Sequence, residues 1–176
     1  MSTISSKANN NKQLVSSEEY RNVIGHFTSG VSIITVRENG VDYGITASAV
    51  SSVSLDPPML LICANKSTGT CHAISREGSF TVNILAENQG ELAYQFSRAN
   101  TDKFADVTMS YGKLGNPVLD DTLAQLECRV VEEVTGGTHS VFIAEVQKAD
   151  AAEKDPLVYF KGKFGQFKQL QRTDKD

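Results

Sequence analysis

The sequence lacks the features of several large protein classes. It has only three cysteines, Cys63, Cys71 and Cys128, with no CxxC spacing, so a disulfide framework is not expected. Cys71 and the adjacent His72 have no fourth ligand at a zinc-site spacing, and we predict no metal site. No apolar run approaches the ~20 residues of a membrane helix. The N-terminus has no apolar secretion-signal core, which makes the cytoplasm the expected location.

Basic patches and the common catalytic motifs are also missing. The formal net charge is −4 with scattered Lys and Arg, which argues against nucleic acid as a partner. Residues 160–167 alternate aromatic and basic side chains, but we expect a strand there with its Phe side chains inward. No GxGxxG follows the first predicted strand, so a Rossmann domain is not supported. Without a GxSxG elbow, hydrolysis is not supported either.

Length and composition are those of one globular domain. The chain has 176 residues, of which 40% are apolar and 22% charged, which is enough to bury a core. Residues 1–17 are polar and are predicted to be a mobile tail. Residues 18–170 are predicted to form a single domain.

Local patterns in the first half predict two helices and several strands. A capping box at Ser16 to Glu19 begins a helix that is expected to run to about Ser29, where Gly30 ends it. Strands are predicted at residues 31–36, 43–52 and 59–63, and Asn39-Gly40 is a strong hairpin signal between the first two. Ser67 or Thr68 is expected to cap a second helix that stops at Gly78.

The second half is dominated by β-type runs. Strands are predicted at residues 80–85, 122–134, 140–146 and 157–160, with a helix at 87–97 and an irregular segment at 100–116. The turn between the two long strands is expected at residues 135–137. About seven strands at short spacings, with two or three short helices, predict a mainly β fold, an antiparallel barrel with helices at its rim.

The segment from Tyr43 to Asn65 carries the strongest functional pattern. Gly44, Ala47 and Ala49 are small enough to let a flat ring approach the backbone, and the hydroxyls of Thr46, Ser48, Ser51, Ser52 and Ser54 lie among them. Loop 65–70 adds a lysine and more hydroxyls before a predicted helix, which suits a phosphate. Alternating Ser and Thr can also be the solvated face of a strand, but the adjoining loop and the Asp-Pro-Pro turn favour a flavin site.

Seven short motifs, in this order, resemble one family. They are Gly30–Thr35, Gly44–Ser48, Ser52–Pro58, Asn65–Ser67, Phe80–Leu85, Lys103-Phe104 and Gly137–His139. In these motifs the chain resembles the short-chain flavin reductases that serve as the small component of two-component flavin-dependent monooxygenases. Each motif is weak alone, but together they span more than a hundred residues.

The resemblance implies a split β-barrel of the flavin-reductase/FMN-binding type, and it implies ligands and partners. The expected ligands are FMN or FAD, with NADH or NADPH as the hydride donor. A homodimer with the flavin near its interface and a partner oxygenase are also implied. The expected flavin-binding residues in the strand and loop are Thr46, Ala47, Ser48, Ala49, Ser54, Ala64, Asn65, Lys66, Ser67 and Thr70.

Further residues are expected around the ring. Lys103 and Phe104 are predicted beside the isoalloxazine ring, and Tyr159 on the nicotinamide side. The family has a Gly-Asp-His triplet at the nicotinamide site, where this chain has Gly137, Thr138 and His139. His139 is the predicted catalytic-site residue, a donor to the nicotinamide amide or the flavin edge, and Thr138 departs from the family pattern by replacing a carboxylate.

These observations predict an NAD(P)H-dependent flavin reductase that supplies reduced flavin to a monooxygenase. Hydride transfer from nicotinamide C4 to flavin N5 needs stacking more than acid–base residues, which agrees with the lack of an obvious catalytic dyad. The absence of an arginine from loop 65–70 is consistent with a flavin that exchanges. The alternative is a split-barrel flavoprotein with fixed FMN that acts as an electron carrier or redox sensor. A barrel that has lost flavin binding is the least supported, because the Asn65-Lys66-Ser67 loop is intact.

Overall fold

The computed structural model describes residues 14–99 and 102–170, so residues 1–13 of the predicted tail lie outside the described residues. The helices are α1 (Ser17–Ile24), α2 (Gly69–Glu77) and α3 (Gly90–Ser97). The strands of the first half are β1 (Ser29–Gly30), β2 (Ser32–Glu38), β3 (Val41–Ala47), β4 (Val50–Leu55), β5 (Pro58–Asn65) and β6 (Ser79–Ile84). Those of the second half are β7 (Met109–Tyr111), β8 (Pro117–Leu119), β9 (Ala124–Gly136), β10 (His139–Ala151), β11 (Leu157–Phe160) and β12 (Lys163–Gln166).

Seven strands form the main sheet, in the order β3-β2-β6-β9-β10-β5-β4. Every pair of neighbours in it is antiparallel. A three-stranded sheet, β1-β11-β12, and a two-stranded sheet, β7-β8, flank it. The predicted mainly β architecture with short helices is therefore correct. None of the described helices is long and apolar enough to cross a membrane.

The connection from β3 to β4 forces the main sheet to curl. These two strands lie at opposite edges of the seven-stranded sheet, and a flat sheet would separate them by roughly 29 Å at about 4.8 Å per strand. Only Ser48 and Ala49 join them, and three Cα–Cα steps reach at most about 11 Å. The two edges must therefore meet in space, which makes the sheet a barrel. The sequence predicted one continuous strand over 43–52, and this prediction was wrong because the chain turns a corner at Ser48.

Both faces of β2 are buried, and they contribute to two different cores. Side chains alternate along a strand, so Ile34 packs inside the barrel with Ile62, Phe80 and Phe142, whereas its neighbour Ile33 points the other way. The second core joins Ile33 to residues of α3, β8 and β11, namely Ala93, Phe96, Leu119 and Leu157. Helix α2 packs on the first core and α3 on the second.

Several predicted turns and caps are confirmed. Asn39 and Gly40 have φ values of 50° and 82°, the left-handed pair that a tight two-residue hairpin requires. Thr68 caps α2 by accepting a hydrogen bond from the Cys71 N–H at 3.2 Å, and Gly78 ends that helix in the left-handed conformation. The Ser16 capping box is present at the start of α1.

The end predicted for the first helix is wrong. Helix α1 stops at Ile24 with Gly25 as its C-cap, and Gly30 lies in β1. No side chain of α1 is buried, so packing does not extend the helix past Gly25, a poor helix former. The apolar side chains of this region are exposed, and Phe27, which lies beyond the helix end, has 75% of its full accessibility.

Other boundaries also differ from the sequence prediction. Helix α3 begins at Gly90 rather than residue 87, because Gln89 folds back to accept the Ala86 N–H in a turn. The segment expected to be irregular contains β7, and the two long strands continue until the turn at Gly137 and Thr138. In the 160–167 segment Phe164 is half-buried against the second core, whereas Phe160 and Phe167 are exposed.

Gly44→Ala is expected to destabilise the fold by about 1–3 kcal/mol, because an added methyl overpacks a filled site. A Cβ at Gly44 would lie 2.5 Å from the Phe96 ring. Gly30→Ala is the matched control, since a Cβ there meets nothing within 4 Å. Urea unfolding of the three proteins measures the effect. Equal stability of both variants would contradict the tight packing at Gly44.

Candidate functional site

A large concave space lies at the corner where β3 passes to β4. It is a cavity of about 1220 Å³ between the ends of β3, β5 and β10, the start of α2 and the end of α3. Small-molecule pockets commonly measure about 300–1,000 Å³, so this space is large enough for more than one ring system. The predicted site residues that line it are Thr46, Ala47, Ser48, Ala49, Asn65, Ser67, Thr70, Lys103, Phe104 and His139.

The loop after β5 is held in a defined shape by its own polar side chains. Asn65 Oδ1 accepts hydrogen bonds from both the N–H and the hydroxyl of Ser67, each at 2.9 Å. The Thr68 hydroxyl donates to the Asn65 carbonyl at 2.8 Å and also caps α2. The first N–H groups of a helix have no partner within it. The start of α2, at Gly69 and Thr70, therefore faces the cavity with a preformed set of donors suited to an anion.

Lys66 does not line the cavity, although it belongs to this loop. Its ammonium donates to the Gly137 carbonyl at 3.1 Å, and its backbone N–H donates to the Thr138 carbonyl at 3.1 Å. Lys66 thus fastens the β5–α2 loop to the turn between β9 and β10. The structure places it behind the site, as a support for the turn that carries His139.

His139 lies beside Asn65, its direct partner in the pairing of β10 with β5. The His139 ring is half-buried at the cavity, and its Nδ1 is 3.0 Å from the Thr138 hydroxyl. That hydroxyl occupies the position of the carboxylate in the family pattern. It gives the ring a neutral hydrogen-bond partner, so the geometry orients His139 without a neighbouring negative charge.

The opposite wall joins β3 to α3. The Thr46 hydroxyl donates to the Ala93 carbonyl at 2.6 Å. The Lys103 ammonium donates to the carbonyls of Gly44 and Phe96 at 3.0 and 2.9 Å, and burial lowers the pKa of this lysine. The Phe104 ring packs edge-on against Phe96. Lys103 and Phe104 both line the cavity, and two of the three donors of the lysine are used by the protein itself.

Three further predicted residues lie away from the cavity. Ser54 is in β4, where its hydroxyl accepts the Asp56 N–H at 3.2 Å. Ala64 points into the barrel core, because it alternates with the cavity-facing Asn65. Tyr159 lies in the β1-β11-β12 sheet and packs in the second core with Phe164. In the single chain these three side chains contact other residues of the protein and do not line the cavity.

Other residues that line the cavity were not predicted from the sequence. Cys63 and Val141 line it, and strand alternation could have found both, since each lies two residues from a predicted site residue. Burial raises the pKa of the Cys63 thiol, which keeps it uncharged at neutral pH. Tyr43 and Arg98 line it too, and no local pattern points to Arg98 at the end of α3.

Within residues 14–99 and 102–170, the His, Cys, Asp and Glu side chains form no group of three that could hold a metal ion.

Comparison with known proteins agrees with this geometry. Residues 24–168 match the family described as flavin reductase like domain. The chain is 50% identical over 149 residues to the reductase component of 4-nitrophenol 4-monooxygenase/4-nitrocatechol 2-monooxygenase from Rhodococcus opacus, covering 85% of this chain and 80% of that protein. It is 35% identical to the FMN reductase (NADH) SmoA of Agrobacterium fabrum, with 86% of each chain covered.

A solved structure of a related protein has the same fold. The NADH:FAD oxidoreductase SgcE6 of Streptomyces globisporus, in complex with NAD and FAD fragments, superposes with a TM-score of 0.81 at 30% identity. The match covers 93% of this chain and 99% of that one. The family and the split-barrel fold predicted from the sequence are confirmed. The chain belongs to the flavin reductase-like family and is an NAD(P)H:flavin oxidoreductase.

Proposed function

We propose that this flavin reductase oxidises NADH, reduces FMN or FAD that enters and leaves its cavity, and supplies the reduced flavin to a separate oxygenase in the cytoplasm. The observation that carries the proposal is the 50% identity, over most of both chains, to the reductase component of a nitrophenol monooxygenase. An oxygenase that hydroxylates a nitrophenol is therefore the first partner to test.

The size and lining of the cavity support direct transfer between two stacked rings. A space of about 1220 Å³ exceeds the volume of an ordinary pocket, and it has small residues along β3. Hydride transfer from nicotinamide C4 to flavin N5 depends on holding the two rings in contact, and the protein contributes orientation and hydrogen bonds. The hydroxyls and amides of Asn65 and Ser67, with the start of α2, would hold the flavin phosphate and ribityl chain.

The balance of charges supports a flavin that exchanges. The lysine of loop 65–70 donates to the Gly137 carbonyl instead of facing the cavity. The α2 end of the cavity therefore offers neutral donors, which bind a phosphate less tightly than a bidentate guanidinium. Arg98 lines the cavity at the end of α3, whereas loop 65–70 contains no arginine.

NADH and NADPH oxidation by the purified protein, with FMN, FAD or no flavin added, tests the proposal. Turnover that requires and saturates with added flavin, and that is faster with NADH, supports it. Adding the nitrophenol oxygenase should then yield hydroxylated product at the expense of NADH. A protein that binds FMN stoichiometrically and does not turn over added flavin would instead be the fixed-FMN electron carrier.

The phosphate end can be tested with loop variants. We expect Asn65→Ala combined with Ser67→Ala to raise the Kd for flavin by about tenfold, because the loop loses hydrogen bonds worth about 1 kcal/mol each. Ser51→Ala is the control, since its hydroxyl lies on exposed β4 and donates to the Ser52 carbonyl. Flavin fluorescence titration measures both. Equal Kd values in the loop variant and the control would remove loop 65–70 from the flavin site.

The nicotinamide side can be tested through the hydroxyl of Thr138. His139→Ala is expected to raise the KM for NADH by about tenfold, with a smaller change in the KM for flavin. Thr138→Val keeps the side-chain shape but loses the partner of His139 Nδ1, so it should shift the KM for NADH in the same direction. Thr138→Ser retains a hydroxyl and should restore the wild-type value. If valine and serine behave alike in steady-state assays, Thr138 does not orient His139.

The proposal includes a homodimer. Apolar surface on and after α1 supports it, because Val23 of α1 and Phe27, just beyond the helix, are 71% and 75% exposed, and Tyr20 of α1 lines the cavity. A second copy that packs on this face would cover apolar surface next to the flavin. We expect sedimentation to give twice the chain mass, and Val23→Glu with Phe27→Glu to give the monomer mass. A monomeric wild-type protein at micromolar concentration would contradict the homodimer.

A further inference from the structure

One wall of the cavity is built by the end of α3 and by the segment that follows it. Residues 96–99 and 102–104 line the cavity, and we call them the α3 wall. A groove of about 550 Å³ lies on the other side of this wall. Arg98 and Asp102 line both spaces. The two spaces are therefore adjacent, and contacts made in the groove involve the same segment that lines the cavity.

Gln95 holds the wall from the groove side. Its side chain lines the groove and is absent from the lining of the cavity. The amide Nε2 donates to the carbonyls of Lys103 and Ala105 at 3.0 and 2.9 Å. These two carbonyls flank Phe104 in the sequence. A side-chain amide has two N–H hydrogens, so Gln95 uses its full donor capacity to fix the backbone around Phe104.

Lys103 holds the same wall from the cavity side. Its ammonium donates to the Phe96 carbonyl in the last turn of α3, where backbone carbonyls have no partner within the helix, and to the Gly44 carbonyl of β3. A cation at a helix C-terminus is also favoured by the helix dipole. The two side chains thus act reciprocally: α3 holds the segment through Gln95, and the segment holds α3 through Lys103.

The aromatic packing depends on this arrangement. The rings of Phe104 and Phe96 are 5.0 Å apart between centroids and nearly perpendicular, at 83°. The Phe96 ring in turn fills the space beside Gly44, where a side chain would collide with it. A shift of the Phe104 backbone would therefore move an aromatic surface that lines the cavity.

We propose that Gln95 and Lys103 are positioning residues for flavin binding, and that flavin affinity depends on Gln95 although its side chain lies outside the cavity. An ammonium has three donors, and the two carbonyls leave one for a ligand in the cavity. The inference rests on the proposed function, since it assumes that the cavity holds flavin. Without the two Gln95 hydrogen bonds the wall occupies other positions, and flavin binding has to reorder it, which lowers affinity.

Gln95→Met tests this most directly, because methionine has a similar length, favours helix and donates no hydrogen bond. We expect the Kd for FMN and FAD to rise about tenfold, with a smaller change in the KM for NADH. Glu91→Gln is the matched control on the same helix, since Glu91 is exposed and lines the same groove. It should keep the wild-type Kd. Gln95→Glu, which has the same shape but cannot donate, should behave like Gln95→Met and serves if the methionine variant does not fold.

A double-variant cycle separates a shared role from two independent ones. Lys103→Met should also raise the Kd for flavin. The factor by which the double variant raises the Kd should be smaller than the product of the factors of the two single variants, because each single change already releases the α3 wall. Independent effects, or a wild-type Kd in the Gln95 variants even with a lower unfolding midpoint, overturn the inference. If the wild-type protein itself binds no flavin, the proposed function fails instead, so the two failures are distinguishable.

Discussion

The two-residue link between β3 and β4 is the constraint on which the rest of the structure depends. Because Ser48 and Ala49 must connect opposite edges of a seven-stranded sheet, the sheet closes on itself and leaves a gap at the corner. The cavity lies at that gap. The candidate site is thus a direct result of barrel closure.

Polar side chains then convert this gap into a defined site. Most of them act on the backbone of another element: Thr46 on α3, Lys66 on the turn before His139, and Lys103 on β3 and α3. Such a site holds its shape through contacts within the protein, which agrees with a reaction that needs orientation more than proton transfer.

Short-range signals made much of this fold predictable from the sequence. The Asn39-Gly40 turn and the Thr68 and Gly78 caps of α2 each have a local physical cause, and the structure contains all of them. The loop at Asn65 was predicted as part of a site, and it does line the cavity. These features depend on neighbouring residues, whose chemistry can be read directly from the chain.

Long-range contacts explain what the sequence did not reveal. A lysine in a polar loop looks free, and only the folded chain brings the Gly137 carbonyl to Lys66 or the Gly44 carbonyl to Lys103. Ala64 and Tyr159 were predicted at the site without knowledge of which face of their strands it uses. Arg98 lies at the end of α3, and the packing of α3 on β3 sets the direction of that helix. No pattern of neighbouring residues in the sequence predicts this contact.

The pairing of Asn65 with His139 has a consequence for how the protein folds during its synthesis. Those two residues are far apart in the chain, and the cavity is lined by residues from Tyr20 to Val141. During synthesis from the N-terminus, a ribosome must release nearly the whole domain before both sides of the pocket exist together. A nascent or prematurely terminated chain that lacks β10 therefore has no complete pocket, so a ligand of this cavity can stabilise only the finished protein and cannot assist its early folding.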